Sequence, residues 1–199
     1  MFQQIACWLI KSCQGRVALP VGTAVLIVLG GTVTAQAANP DDIEQLINTK
    51  QCADCDLVDA DLRRLNLAGA DLSNANLEGA NLFYTVLDDA NLEGANLAFT
   101  NLANASLQAA NLKEADLFRS LLNGANFSGA TLMGATLIES FIDQTLFIGA
   151  VLQDANFDAT LFHDVNFDGA NLCGAILWSG TEYRQVPCEG DVGIQDLEM

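Results

Sequence analysis

Beyond position 37, four cysteines and one histidine are the scarce residues whose types could support covalent, acid–base or metal chemistry; Asp and Glu are abundant, but abundance on an acidic repeat is not a catalytic pair. Cys52-Ala53-Asp54-Cys55 is a C-x-x-C, the spacing of thiol–disulfide oxidoreductases and of half a zinc site. Zinc needs four donors, and the sequence holds no second C-x-x-C and no histidine cluster. No βαβ pattern surrounds Cys52, so the redox reading is the weaker one. Cys173 and Cys188 form a second close pair at the far end. An even number of cysteines, paired at each end, reads as two local staples, Cys52–Cys55 and Cys173–Cys188. His163 stands by itself, immediately after a large apolar residue, and is expected outside. There is no Ser/His/Asp set in plausible register, no nucleotide-binding glycine motif and no metal-ligand cluster. The expectation is therefore no catalytic residue, no cofactor and no metal site. Asn104-Ala105-Ser106 and Asn126-Phe127-Ser128 match glycosylation sequons, but both follow from a repeat and carry little weight.

The elements that could position these groups begin with a leader. Lys11 and Arg16 are followed by an almost unbroken apolar run, Val17 to Val33, and then by Ala35-Gln36-Ala37. This is the layout of a secretory signal peptide cleaved after Ala37. The alternative is an uncleaved membrane anchor at the lower limit of spanning length. Without a twin arginine, the general export route is favoured. Export also suits the cysteines, since disulfides persist in oxidising compartments. Residues 1–37 carry two cations and no acid, so their removal takes the net charge of −17 to −19. A surface that acidic repels phosphate backbones and anionic headgroups. Direct binding of nucleic acid, or of a membrane after leader cleavage, is not expected.

From Leu57 to Leu177 every fifth residue is large and apolar, through Leu62, Leu67, Leu72 and onward to Phe157, Phe162, Phe167 and Leu172. That makes 25 centres without a slip in phase. Two residues before each centre stands a small side chain, with Leu65 and Val165 as the large exceptions. Immediately before most centres stands Asn or Asp. A period of five fits neither an amphipathic helix nor a flat strand. It fits a chain that turns a corner every five residues, with Asn, Asp and Gly easing the bend.

Ala75-Asn76-Leu77-Glu78-Gly79, Ala80-Asn81-Leu82 and Ala95-Asn96-Leu97 match A-(D/N)-L-x-x, and the chain resembles the pentapeptide-repeat family over about residues 53–179. The resemblance implies an all-β solenoid, a right-handed quadrilateral β-helix with four pentapeptides per coil. About 125 residues then make roughly six coils, about 30 Å long at about 4.8 Å per rung. Residues 20 apart should stack. Leu72, Leu92, Leu112, Leu132, Leu152 and Leu172 form one such column, and Phe127, Phe147 and Phe167 fall together in another. Asn39-Pro40-Asp41-Asp42 reads as a helix start, giving a short capping helix of about 40–49. The expected organisation is leader 1–37, cap 38–52, repeats 53–179 and a closing tail 180–199 carrying Tyr183, with Trp178 just before it.

Outward positions then carry the function. On one face the residues before the centres read Asp61, Asn81, Asn101 and then Leu121, Phe141, Leu161. The same face carries Arg63, Arg64, Phe83 and Tyr84, and the face before it Phe99, Phe118, Arg119 and Ile138. These predict an apolar contact strip for a protein partner along two adjoining sides. The function expected is a non-catalytic binding or scaffold module. The resemblance to acidic, signal-bearing members common in cyanobacteria implies the periplasm or the thylakoid lumen. Other, cytoplasmic members resemble duplex DNA and occupy a topoisomerase, which the charge suits and the leader opposes.

Overall fold

The computed structural model describes residues 25–28, 31–34, 38–178, 183–185 and 188. Its unit is one turn and one bridge per pentapeptide. In most units the backbone N–H three residues after a centre donates to the centre's own carbonyl, as from Ala60 to Leu57 and from Ala75 to Leu72, both at 3.1 Å. Among the described residues, the one two after each centre takes a positive φ, from 50° at Asp164 to 76° at Gly174. A turn closed from its fourth residue to its first, with positive φ at the third, is of type II. The residue before each centre bridges, in parallel, to the residue 20 positions on: Asp56 to Asn76, Asn76 to Asn96, Asn96 to Asp116. Four corners per 20 residues close the coil, and the protein is a right-handed four-sided β-helix.

The sides are numbered here by their centres. The first carries Cys52, Leu72 and Leu92, the second Leu57, Leu77 and Leu97, the third Leu62, Leu82 and Leu102, the fourth Leu67, Leu87 and Leu107. Most rungs are single bridges. Longer pairing occurs in the last coils of the third side, where Phe141–Asp143 lies parallel to Leu161–His163 with Phe141 opposite Leu161 and Asp143 opposite His163. On the second side Asn156–Phe157 pairs with Ile176–Trp178.

All centres are buried except Phe162, which is half-buried at the end of the third side. The fourth side's aromatics stack directly. Phe127 and Phe147 have ring centroids 5.1 Å apart at 12°, Phe147 and Phe167 5.3 Å apart at 8°. Phe157 meets this stack edge-on from the second side. Where the small position holds a hydroxyl, the buried oxygen donates to a centre's carbonyl: Thr100 to Leu97, Ser120 to Leu117, Ser140 to Leu137. Leu65 and Val165 occupy the same column at its two ends, both half-buried. Only there does the core leave room for a large side chain in that column.

Helix α1 (Pro40–Thr49) lies over the first coil and buries Leu46 against the core cluster. Asn39 caps it, its side chain accepting from the Asp41 amide, and the Asn39 amide donates to the Asp56 carbonyl at 3.0 Å. The Asp42 carboxylate accepts from the Asp56 amide at 2.8 Å. Cys52 sits at a centre position and Cys55 at a small position; the two are bonded and buried. Strand Tyr183–Gln185 pairs antiparallel with Ile176–Trp178, and Cys188 is bonded to Cys173. Of the leader expected at 1–37, the described residues comprise an antiparallel pair, Val25–Val28 with Gly31–Thr34. The rest of that segment, its cleavage site and most of the tail lie outside the described residues. Among the described residues no helix is long and apolar enough to cross a membrane.

Candidate protein-contact surface

The corner residue two after each centre is where the fold is most selective, because L-residues other than Asn and Asp disfavour positive φ. Glycine fills it at Gly69, Gly79 and Gly94, and Asp or Asn at Asp59, Asn74 and Asp89. At Gly79 an added Cβ would meet the exposed Asp59 carboxylate one rung below, which would have to swing aside; what holds glycine there is its positive φ. Bulky side chains nevertheless stand in this conformation at Arg64, Tyr84, Phe99, Glu114, Arg119, Glu139 and Gln144, with φ between 53° and 60°. The aromatic and arginine residues among them, Arg64, Tyr84, Phe99 and Arg119, all lie on the second and third sides. Strain retained against local preference points to a use for the side chains that bear it.

Around these corners the apolar residues are exposed. Leu121, Phe141 and Leu161 stack rung upon rung at the start of the third side, with exposures of 41%, 49% and 65%. Phe99, 49% exposed, packs edge-on to the half-buried Phe118 at 5.5 Å. The Arg119 guanidinium lies 5.0 Å from the Phe118 ring centre and pairs with Glu139 at 2.5 Å. Phe99, Arg119, Glu139, Phe141 and Leu161 line one open groove, and Asn101, Leu121, Asn123 and Phe141 line its neighbour. Ile138 is half-buried on the second side.

Phe83 and Tyr84 form a separate cluster in the second coil. Their rings meet edge-on at 4.5 Å, Arg64 lies 6.0 Å from the Tyr84 ring centre, and Arg63 forms an ion pair with Asp61. In the coil between, Asn101 and Ala103 separate Phe83 from Leu121 on the third side. The residues expected to build one strip therefore fall into two patches. The left-handed corner escaped the sequence reading, although glycine recurring two residues after a centre was a visible sign of it. The Asn and Asp before the centres open each turn: Oδ1 of Asn66 and of Asn96 accepts from the amide two residues on. They also link rungs, as in the Asn96 to Asn76 bond at 3.0 Å.

His163 faces outward from the strand that carries Leu161, and its Nδ1 lies 2.7 Å from the Asp143 carboxylate. The bond to Asp143, with the charges of Asp164 and Asp143, raises the imidazole's pKa above its ordinary value. The protonated ring is the form the folded chain favours. That preference is complete below the ordinary histidine value and is lost as pH rises through the raised one. An NMR titration should find the His163 ring titrating above 6.5, and Asp143→Asn should bring it back towards that value. An unmoved ring in D143N would show that the contact is not made in solution. Among the described residues no cluster of His, Cys, Asp or Glu could hold a metal ion.

The sequence profile of the pentapeptide repeats matches residues 51–83, 85–124, 110–147 and 142–178. No curated protein matches the chain. Among solved structures it is similar to HetL, a pentapeptide repeat protein involved in heterocyst differentiation regulation from the cyanobacterium Nostoc sp. strain PCC 7120. That likeness is 30% identity over 64% of this chain and 63% of HetL, with a TM-score of 0.30, so the chain spans less than two thirds of that protein. It is also similar to the pentapeptide repeat protein Rfr23 from the cyanobacterium Cyanothece 51142, at 27% identity over 66% and 97% of the two chains, with a TM-score of 0.35. A pentapeptide repeat protein of the Arabidopsis thaliana thylakoid lumen is 23% identical over 66% and 68%, again at 0.35.

Proposed function

The chain belongs to the pentapeptide-repeat family, and on that premise we propose that it is a non-catalytic binding or scaffold module acting outside the cytoplasm. It works through protein contacts on the second and third sides. One observation carries this: the aromatic and arginine residues held at positive φ, Arg64, Tyr84, Phe99 and Arg119, and five of the exposed large apolar residues fall on the same two sides. Aromatic and arginine side chains are also the ones enriched at protein interfaces. The leader-like residues 1–37 support an oxidising compartment, the periplasm or the thylakoid lumen, where both disulfides would persist. Cys52 and Cys55 act as a staple in this reading, since their burial withholds the sulfurs from an attacking thiolate.

The test is affinity capture from the correct compartment, located first by fractionation and N-terminal sequencing. Phe141→Ala with Leu161→Ala should abolish capture of a partner bound by the wild-type protein, while circular dichroism and the unfolding midpoint stay put. Undiminished capture by the double variant would sink the assignment of the contact surface. A chain found in the cytoplasm with residues 1–37 retained would revive mimicry of a polyanion by the acidic faces.

A further inference from the structure

Resting on that reading, we propose that the occupant of the groove at the second–third corner is a cationic amphipathic α-helix of the partner protein. The argument starts from the backbone. On the sides of the solenoid the rungs have already used their amides and carbonyls on each other. Leu121 donates to Thr100, Phe141 to Ser120, Leu161 to Ser140, and the Leu121 and Phe141 carbonyls accept from Leu102 and Leu122. The wall of the groove is closed in the same way, with Phe99 donating to Phe118 and Arg119 to Ile138. A side-lying partner therefore meets side chains and no free backbone ladder, so it cannot add itself as a strand. It must satisfy its own backbone, and a helix does so internally.

Spacing points the same way. Anchors on successive rungs recur at about 4.8 Å. Helix turns recur at about 5.4 Å, whereas side chains on one face of an extended strand recur at about 6.7 Å. From the coil of Phe99 to that of Leu161 is three rung intervals, about 14 Å. That is the length of about nine to ten helical residues at 1.5 Å each, enough for three apolar anchors at i, i+3 or i+4, and i+7 spacing. Charge completes the description. In these four coils the two sides carry Asp116, Glu139, Asp143, Asp158 and Asp164 against Arg119, which pairs with Glu139, and His163, which faces Asp143 and Asp164, so the balance stays acidic. The polar face of the helix should therefore be rich in Lys and Arg.

The experiment uses the full oxidised chain and fluorescein-labelled 14-residue peptides read by anisotropy. One is a Leu/Lys sequence with leucines at helical spacing, locked as a helix by a side-chain staple. The second has the same composition with strict alternation, and the third has Glu in place of Lys. The stapled Lys helix should bind at least tenfold tighter than either comparison peptide, and Phe141→Ser with Leu161→Ser should weaken it at least tenfold. Ile148→Ser, an exposed apolar change on the fourth side, should leave it unchanged. Equal binding by the alternating peptide, or insensitivity to the double serine variant, overturns the proposal. So does a dimer in sedimentation that the same variant dissolves, which would name a second copy as occupant. If Phe141→Ala with Leu161→Ala abolishes partner capture but the helix is not preferred, the contact surface stands and the helical occupant does not.

Discussion

Phe147→Ala should lower the unfolding free energy by about 3–5 kcal/mol, read from the midpoint shift in chemical denaturation. Phe147 is fully buried and has parallel rings on both sides, Phe127 below and Phe167 above, with Phe157 edge-on. Removing it opens a gap in the middle of a column whose neighbours are pinned by the backbone ladder. The Ser128 carbonyl–Ala109 amide rung and its equivalents hold the coils in register, so the cavity cannot collapse. Phe162→Ala provides the contrast, because Phe162 is half-buried and tilted at 47° to Phe157. It should cost clearly less. Equal losses at the two positions would mean that the stack contributes nothing beyond its area.

Ala105→Leu should destabilise the fold by about 1–3 kcal/mol or more, although Leu65 stands in the same column two rungs away. Ala105 is 1% exposed in the middle of the solenoid, where the inward space between centres admits only a small side chain. Leu65 sits in the first coil and is only half-buried. The matching change Leu65→Ala should therefore be mild. A tolerated leucine at 105 would show that the coils breathe enough to accept volume, against the strict small-residue pattern.

The architecture was legible because its signal is redundant. Leucine every fifth residue, alanine two before it and Asn or Asp between them each imply the same corner, and the 20-residue columns add the coil. The helix start at Asn39-Pro40 was legible for a different reason, since the cap residue accepts from an orphan amide, proline removes another, and two acids face the positive end of the helix dipole. The contact surface was legible only in outline. Outwardness follows from phase, so Leu121, Phe141 and Leu161 could be placed on one face. Which outward residues touch depends on the left-handed corners, which swing Phe99 and Arg119 towards Phe118 while Asn101 and Ala103 leave Phe83 apart. That is a property of φ at single positions, and residues such as Phe99 and Tyr84 give no sign of it in their own preferences. His163 similarly reads as isolated along the chain. Its partner Asp143 is 20 residues away and becomes adjacent only through the rung.

The bridge register, each residue matched to the one 20 positions later, also governs how such a chain can change length by inheritance. Duplicating or deleting one whole coil's worth of codons returns every downstream residue to its own side, so the groove grows or shrinks by a rung and keeps its lining. Duplicating a single pentapeptide preserves inside and outside equally well, yet turns everything beyond it by a quarter of a revolution. Phe141 and Leu161 would then leave the side that carries Asn101, and the recognition surface would be cut in two without loss of the fold. Selection on binding would thus purge five-residue length changes within residues 99–161 while tolerating them outside it, even where stability makes no distinction between the two.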